Sequence, residues 1–127
     1  MSFEINVVRG RSKGRLTFSH GDISVDTDCW WDPKVVAVAG TYTGYATHMA
    51  NKKNSRGTKR EAIWFGKAVP IARRTRKSND IFIHMGTSAG WSDGCIVAAE
   101  DQVLKIWNTI SPKEQANVTI VIEDKES

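Results

Sequence analysis

The chain has 127 residues, of which 40% are hydrophobic and 25% charged, and it carries a net charge of +4. That is long enough for one domain with a core of its own and no disulfide staples. No apolar run approaches the roughly 20 residues of a membrane helix, so insertion into a bilayer as a helix is not expected.

Phe3 to Val8 alternates apolar and polar side chains and predicts a first strand. Gly10 to Gly14 is a basic turn. Arg15 to Ser19 and Ile23 to Asp26 flank His20-Gly21-Asp22 and predict a hairpin, with His20 exposed in its turn. Cys29-Trp30-Trp31 follows, and two adjacent tryptophans in a strand face opposite ways. Lys34 to Ala39 reads as a buried strand, and Thr41 to Tyr45 as another. The polar segment Asn51 to Arg60 reads as a disordered loop. Ala62 to Phe65 and Ala68 to Ala72 are apolar, interrupted at Gly66, with Pro70 marking an edge or bend. Ile81 to His84 is the next strand.

Ala98 to Ile110 is the one convincing helix, with Val103, Ile106, Trp107 and Ile110 on one face. Ser111-Pro112-Lys113-Glu114 has the form of a capping box and predicts one further helical turn. Asn117 to Ile122 alternates and predicts a closing strand. The count is about eight strands and one helix, which is a mainly β domain, a sandwich or barrel, with a helix at about 99–110 packed on it.

Charge is uneven. Ten of the eighteen basic residues lie between Asn51 and Lys77, opposed by Glu61 alone, which favours an anionic partner such as nucleic acid, a wall polymer or a membrane surface. His20, His48 and His84 are too scattered for a metal-ligand motif, and no metal or cofactor is expected. Met1 to Arg11 lacks the pattern of a secretory signal, which predicts synthesis in the cytoplasm.

The chemistry concentrates in residues 81 to 97. A strand delivers His84, a loop rich in glycine, serine and threonine follows, and Ser92-Asp93-Gly94-Cys95 leads into a second apolar segment. This arrangement predicts His84 and Cys95 side by side at one sheet end. A thiol attacks as thiolate, and an imidazole within hydrogen-bond reach can take its proton. Gly94 lets a substrate carbonyl approach the backbone, and the amides of Gly94 and Cys95 can hold an oxyanion. Ser92 can orient the loop and Asp93 can hold the imidazole or cap the turn. A backbone carbonyl near Met85 or Gly86 can instead fix the His84 tautomer.

A histidine, a short loop and then Ser92-x-Gly94-Cys95 resembles the signature of L,D-transpeptidase catalytic domains, the YkuD family. The looser form of the motif resembles the small L,D-transpeptidase-like toxins delivered by type VI secretion. The resemblance implies Cys95 as nucleophile, His84 as general base, and the peptidoglycan stem peptide as substrate. Cys95 would attack the carbonyl of the third-position diamino acid and expel D-alanine. Water would complete an L,D-carboxypeptidase reaction, and an amine a cross-link or exchange. It further implies an antibacterial effector acting in the periplasm of a target cell, with an immunity protein in the producer. Asp93 stands where the family has histidine, and the arginine that many members carry after Gly-Cys is replaced by Val97 and Ala98. Carboxylate recognition is therefore sought at Arg73, Arg74 or Arg76, and the acyl pocket near Trp91 and Tyr42.

Two rivals remain at this stage. Asp28-Cys29-Trp30 followed by His84 has the Cys-then-His order of papain-like and NlpC-type peptidoglycan amidases, although Pro33 disfavours the helix such cysteines begin. The basic segment 51–77, with Trp64 and Phe65, has the composition of a non-enzymatic nucleic-acid surface.

Overall fold

The structure, a computed structural model, describes residues 2–91 and 95–125, apart from the side chain of Trp91. Among the described residues, eight strands close into a barrel. They are β1 (Phe3–Arg9), β2 (Gly14–His20), β3 (Ile23–Trp31), β4 (Gly40–Lys53), β5 (Lys59–Trp64), β6 (Phe82–Met85), β7 (Ile96–Ala98) and β8 (Val118–Asp124). Their order around the barrel is β1-β2-β3-β7-β6-β5-β4-β8. The pairs β1–β8 and β6–β7 are parallel, and the other neighbours are antiparallel.

Alternation in the sequence decides which side chains fill the barrel. Phe3, Ile5 and Val7 of β1 pair with Val118, Ile120 and Ile122 of β8, and all six are buried. Leu16 and Phe18 of β2 stand opposite Val7 and Ile5. An eight-stranded barrel is just wide enough to be filled by such side chains. At one end Arg9, also on the inner face of β1, donates to Asp124 at 2.7 Å and lies 5.9 Å from the Trp31 ring. The single helix, α1 (Glu100–Thr109), packs against β3, β5 and β6. Its Val103 and Ile106, with Ile110 just beyond, join the same buried cluster as the barrel interior. Trp107 donates its indole N–H to the carbonyl of Thr47, 2.8 Å away.

Four expectations need correction. Segment 34–39 is not the expected strand, and the apolar segment 68–72 bends beside it. They meet in one isolated bridge, Ala37 with Ile71, with Val38 donating to the Pro70 carbonyl and Ala72 to that of Val36. Proline has no amide hydrogen, so Pro70 cannot extend that pairing. Segment 51–60 is not a loose loop. β4 runs on to Lys53, and Asn54 knits the tip, its side chain bonding Thr58, Lys59, Glu61 and the amide of Arg56. The expected helical turn at Ser111–Glu114 is also absent. Glu114 gives its amide hydrogen to the carbonyl of Ala46 and its carboxylate accepts from Thr47 Oγ1 at 2.7 Å, so β4 takes both groups that a capping box would use. His20 is half-buried rather than exposed, with its ring 4.7 Å from that of Phe3.

Candidate functional site

Strands β6 and β7 lie side by side, and the connection between them is the loop singled out in the sequence. It is short for a parallel pair, and a 3-10 turn at Ala89–Trp91 lies within it. Register fixes the faces. Ile83 pairs with Ile96 and both fill the barrel, whereas His84 pairs with Val97 on the opposite face. Cys95, two residues before Val97, shares the face of His84. The two are diagonal neighbours on adjoining strands, a spacing of about 7–8 Å between backbones that side chains can bridge.

His84 is 2% exposed, and its Nδ1 lies 2.8 Å from the carbonyl oxygen of Met85. A carbonyl can only accept, so Nδ1 carries a hydrogen, and in the neutral ring the lone pair is then on Nε2. The orienting carbonyl is thus that of Met85. Gly86 gives its amide hydrogen to the carbonyl of Ala98, 2.8 Å away, and so helps hold β6 to β7. Cys95 Sγ lies 3.7 Å from the carbonyl oxygen of Asp80, a weak thiol contact. Ser92, Asp93, Gly94 and the side chain of Trp91, expected at this site, lie outside the described residues.

Cys95 sits at one end of a cleft of about 580 Å³. In continuation of the β6–β7 register, Cys95 stands opposite Phe82, which pairs with Trp64, which pairs with Tyr45. These residues form one row across four strands on the outer face of the barrel. Thr47 and Asp80 add to the lining, and residues 49–52 of the β4–β5 arm form a wall. The arm is tied down where Ser55 donates from Oγ and from its amide to the Glu100 carboxylate at the start of α1.

The substrate-binding expectations fare differently. Tyr42, Arg73 and Arg74 do not line this cleft. Tyr42 is packed against the core, its ring 5.6 Å from that of Phe65 and its hydroxyl donating to the carbonyl of Val38; burial pushes its pKa up. Arg74 reaches the carbonyl of Lys34, 3.1 Å away, and Arg73 is exposed on the same loop. Tyr45 lines the cleft instead. Tyr42 and Tyr45 are an odd number of residues apart along one strand, so only one of them can face the cleft. The cation that does line it is Lys52.

Cys29 has a different setting. It pairs with Ala98, which pairs with Met85, so it faces the barrel interior, opposite to His84. It lies on β3 rather than at a helix start, and burial, aided by the Asp28 charge, pushes its thiol up to about 12. The Cys29–His84 arrangement of an NlpC-type amidase is therefore ruled out. Neither cysteine is in a disulfide. The aromatic residues of the basic segment do not form one exposed row: Phe65 is 1% exposed in the core, and Trp64 lines the cleft. Among the described residues, no three His, Cys, Asp or Glu side chains gather as a metal-ligating group.

The sequence model of the YkuD family, the L,D-transpeptidase catalytic domain, matches residues 12–122. The match leaves out only β1 and the end of β8 among the barrel strands. No curated protein and no solved structure gives a match. A match over most of the chain, on a barrel with a cysteine at the mouth of its cleft, means that the protein belongs to the YkuD family of L,D-transpeptidase catalytic domains, whose chemistry is cysteine acyl transfer on peptidoglycan.

Proposed function

We propose that Cys95 is the nucleophile and His84 the general base of an enzyme that acts on the third residue of the peptidoglycan stem peptide. The observation that carries this reading is the shared face of His84 and Cys95 beside a cleft, with His84 Nδ1 committed to the Met85 carbonyl. That hydrogen bond leaves Nε2 as the basic nitrogen. Nε2 takes the thiol proton as sulfur bonds to the donor carbonyl carbon. The imidazolium then returns the proton to the departing amine of D-alanine, and a thioester remains on Cys95. Water attacking the thioester gives an L,D-carboxypeptidase product. The amine of a second stem peptide, or of a free D-amino acid, gives a cross-link or an exchange. Mass analysis of murein fragments separates these routes: loss of one alanine marks hydrolysis, and dimers mark transpeptidation. A Cys95→Ala protein that still yields either product refutes the assignment.

The finer biological role is an antibacterial effector that reaches the periplasm of a target cell and is neutralised by an immunity protein in the producer. It rests on the loose Ser-x-Gly-Cys form of the motif at Ser92–Cys95. Directed to the periplasm, the protein should stop growth, and Cys95→Ala should relieve the effect. Harmless expression of the intact protein in both compartments contradicts the role.

A further inference from the structure

The described lining of the cleft lies on one side of Cys95, and its far end is aromatic. Strands are about 4.8 Å apart, so along the row Phe82, Trp64, Tyr45 the backbone of Trp64 stands about 10 Å and that of Tyr45 about 14 Å from that of Cys95. The Tyr45 and Trp64 ring centroids are 4.8 Å apart at a tilt of 43°. The Trp64 indole N–H donates to the carbonyl of Asn79 at 2.8 Å, which fixes that ring. Both side chains are half-buried, so each keeps part of its surface open to the cleft. The acyl-transfer chemistry uses neither of them.

The donor in that chemistry is lopsided. Beyond the scissile bond lies a single departing residue. On the other side lie two more residues, a lactyl link and an amino-sugar ring. The row Phe82, Trp64, Tyr45 offers that long half a path. An extended chain covers about 3.3–3.6 Å per residue, so the peptide portion ends about 10 Å from the attacked carbonyl. The next group along is the sugar. A sugar ring presents an apolar face of C–H groups and a polar rim, and it suits a rigid aromatic surface that carries its own polar edge.

We propose that Tyr45 and Trp64 form a sugar subsite, which seats the N-acetylated amino sugar bearing the donor stem peptide and makes the enzyme select glycan-linked over free peptides. The proposal rests on the acyl-transfer reading for its substrate, and binding tests it separately from turnover. Cys95→Ala protein is titrated by calorimetry with a disaccharide-tetrapeptide and with the same tetrapeptide lacking sugar. The sugar-linked ligand should bind about tenfold more tightly. Trp64→Leu and Tyr45→Leu, each placed on the Cys95→Ala background and checked for an intact melt, should bring the ratio to within about twofold, and Trp64→Phe should keep part of it. Equal affinity of the Cys95→Ala protein for both ligands overturns the subsite, as does a ratio that survives both leucine variants. A binding preference without turnover of either compound by the native enzyme would uphold the subsite and sink the acyl-transfer reading instead.

Discussion

The two cysteines make a natural experiment within one barrel. Both are buried, Cys29 at 0% and Cys95 at 3% exposure, and neither is in a disulfide. Burial does not tell them apart; the face of the strand does. Cys29 points inward among aliphatic side chains with its pKa pushed up to about 12, a small hydrophobe in practice. Cys95 points outward, on the face that carries His84 and at the end of a cleft. A single-residue change of phase along either strand would exchange these roles.

The largest expected effect breaks the comparison on its reactive side. His84→Ala should lower kcat/KM by about 10²–10⁴-fold, the range for loss of a general base, measured on protein shown to be folded because the buried ring also contributes to stability. Cys29→Ala should leave turnover of muropeptides intact and cost only about 1 kcal/mol of stability. Loss of activity in Cys29→Ala, measured on folded protein, would erase the distinction between the thiols.

A second variant tests the scaffold that carries the cleft. Gly44 lies where β4 leaves its pairing with β8 and takes up β5. A Cβ there would stand 1.6 Å from the carbonyl oxygen of Trp64. Gly44→Ala should cost about 3 kcal/mol or more in denaturant unfolding, because backbone must move to admit the methyl. An unchanged midpoint would mean that β4 and β5 cross with room to spare.

A pH series sharpens the inward thiol. The Cys29 pKa is raised from 9.0 to about 12 in the folded chain, so above pH 9 the unfolded state releases this proton first. Folded stability should then fall as pH rises from about 9 toward 12, with this one group contributing up to about 1.4 kcal/mol per pH unit. Cys29→Ala should remove that part of the slope, and denaturant midpoints across the alkaline range measure it.

Much of this was legible in the sequence where periodicity was clean. The alternation in Phe3 to Val8 and Asn117 to Ile122, the hairpin around Gly21 and the apolar face of the helix all translate into β1, β8, β2–β3 and α1. Residues 34–39 misled because an apolar, β-branched run records burial, and burial is achieved there with the isolated bridge Ala37–Ile71 and no strand. The arm at 51–60 misled for the converse reason. Its basic composition resembles solvated loop, while its order comes from Asn54, Glu61 and a contact with α1 that lie far apart or are invisible in a local window. At the site, His84 and Cys95 were readable from spacing, since one short loop joins them. Tyr45, Trp64 and Phe82 were not, because they meet only through strand register. Tyr42 drew attention instead on the strength of its neighbourhood, and its phase along β4 turns it away.

The identity of the nucleophile is tested most directly by catching the thioester. Intact protein is incubated briefly with a stem tetrapeptide, quenched in acid, digested and mapped by mass. The account predicts an acyl-tripeptide adduct on the fragment containing Cys95, lost in Cys95→Ala and absent from the fragment containing Cys29. An adduct on Cys29, or turnover that persists in Cys95→Ala, contradicts it.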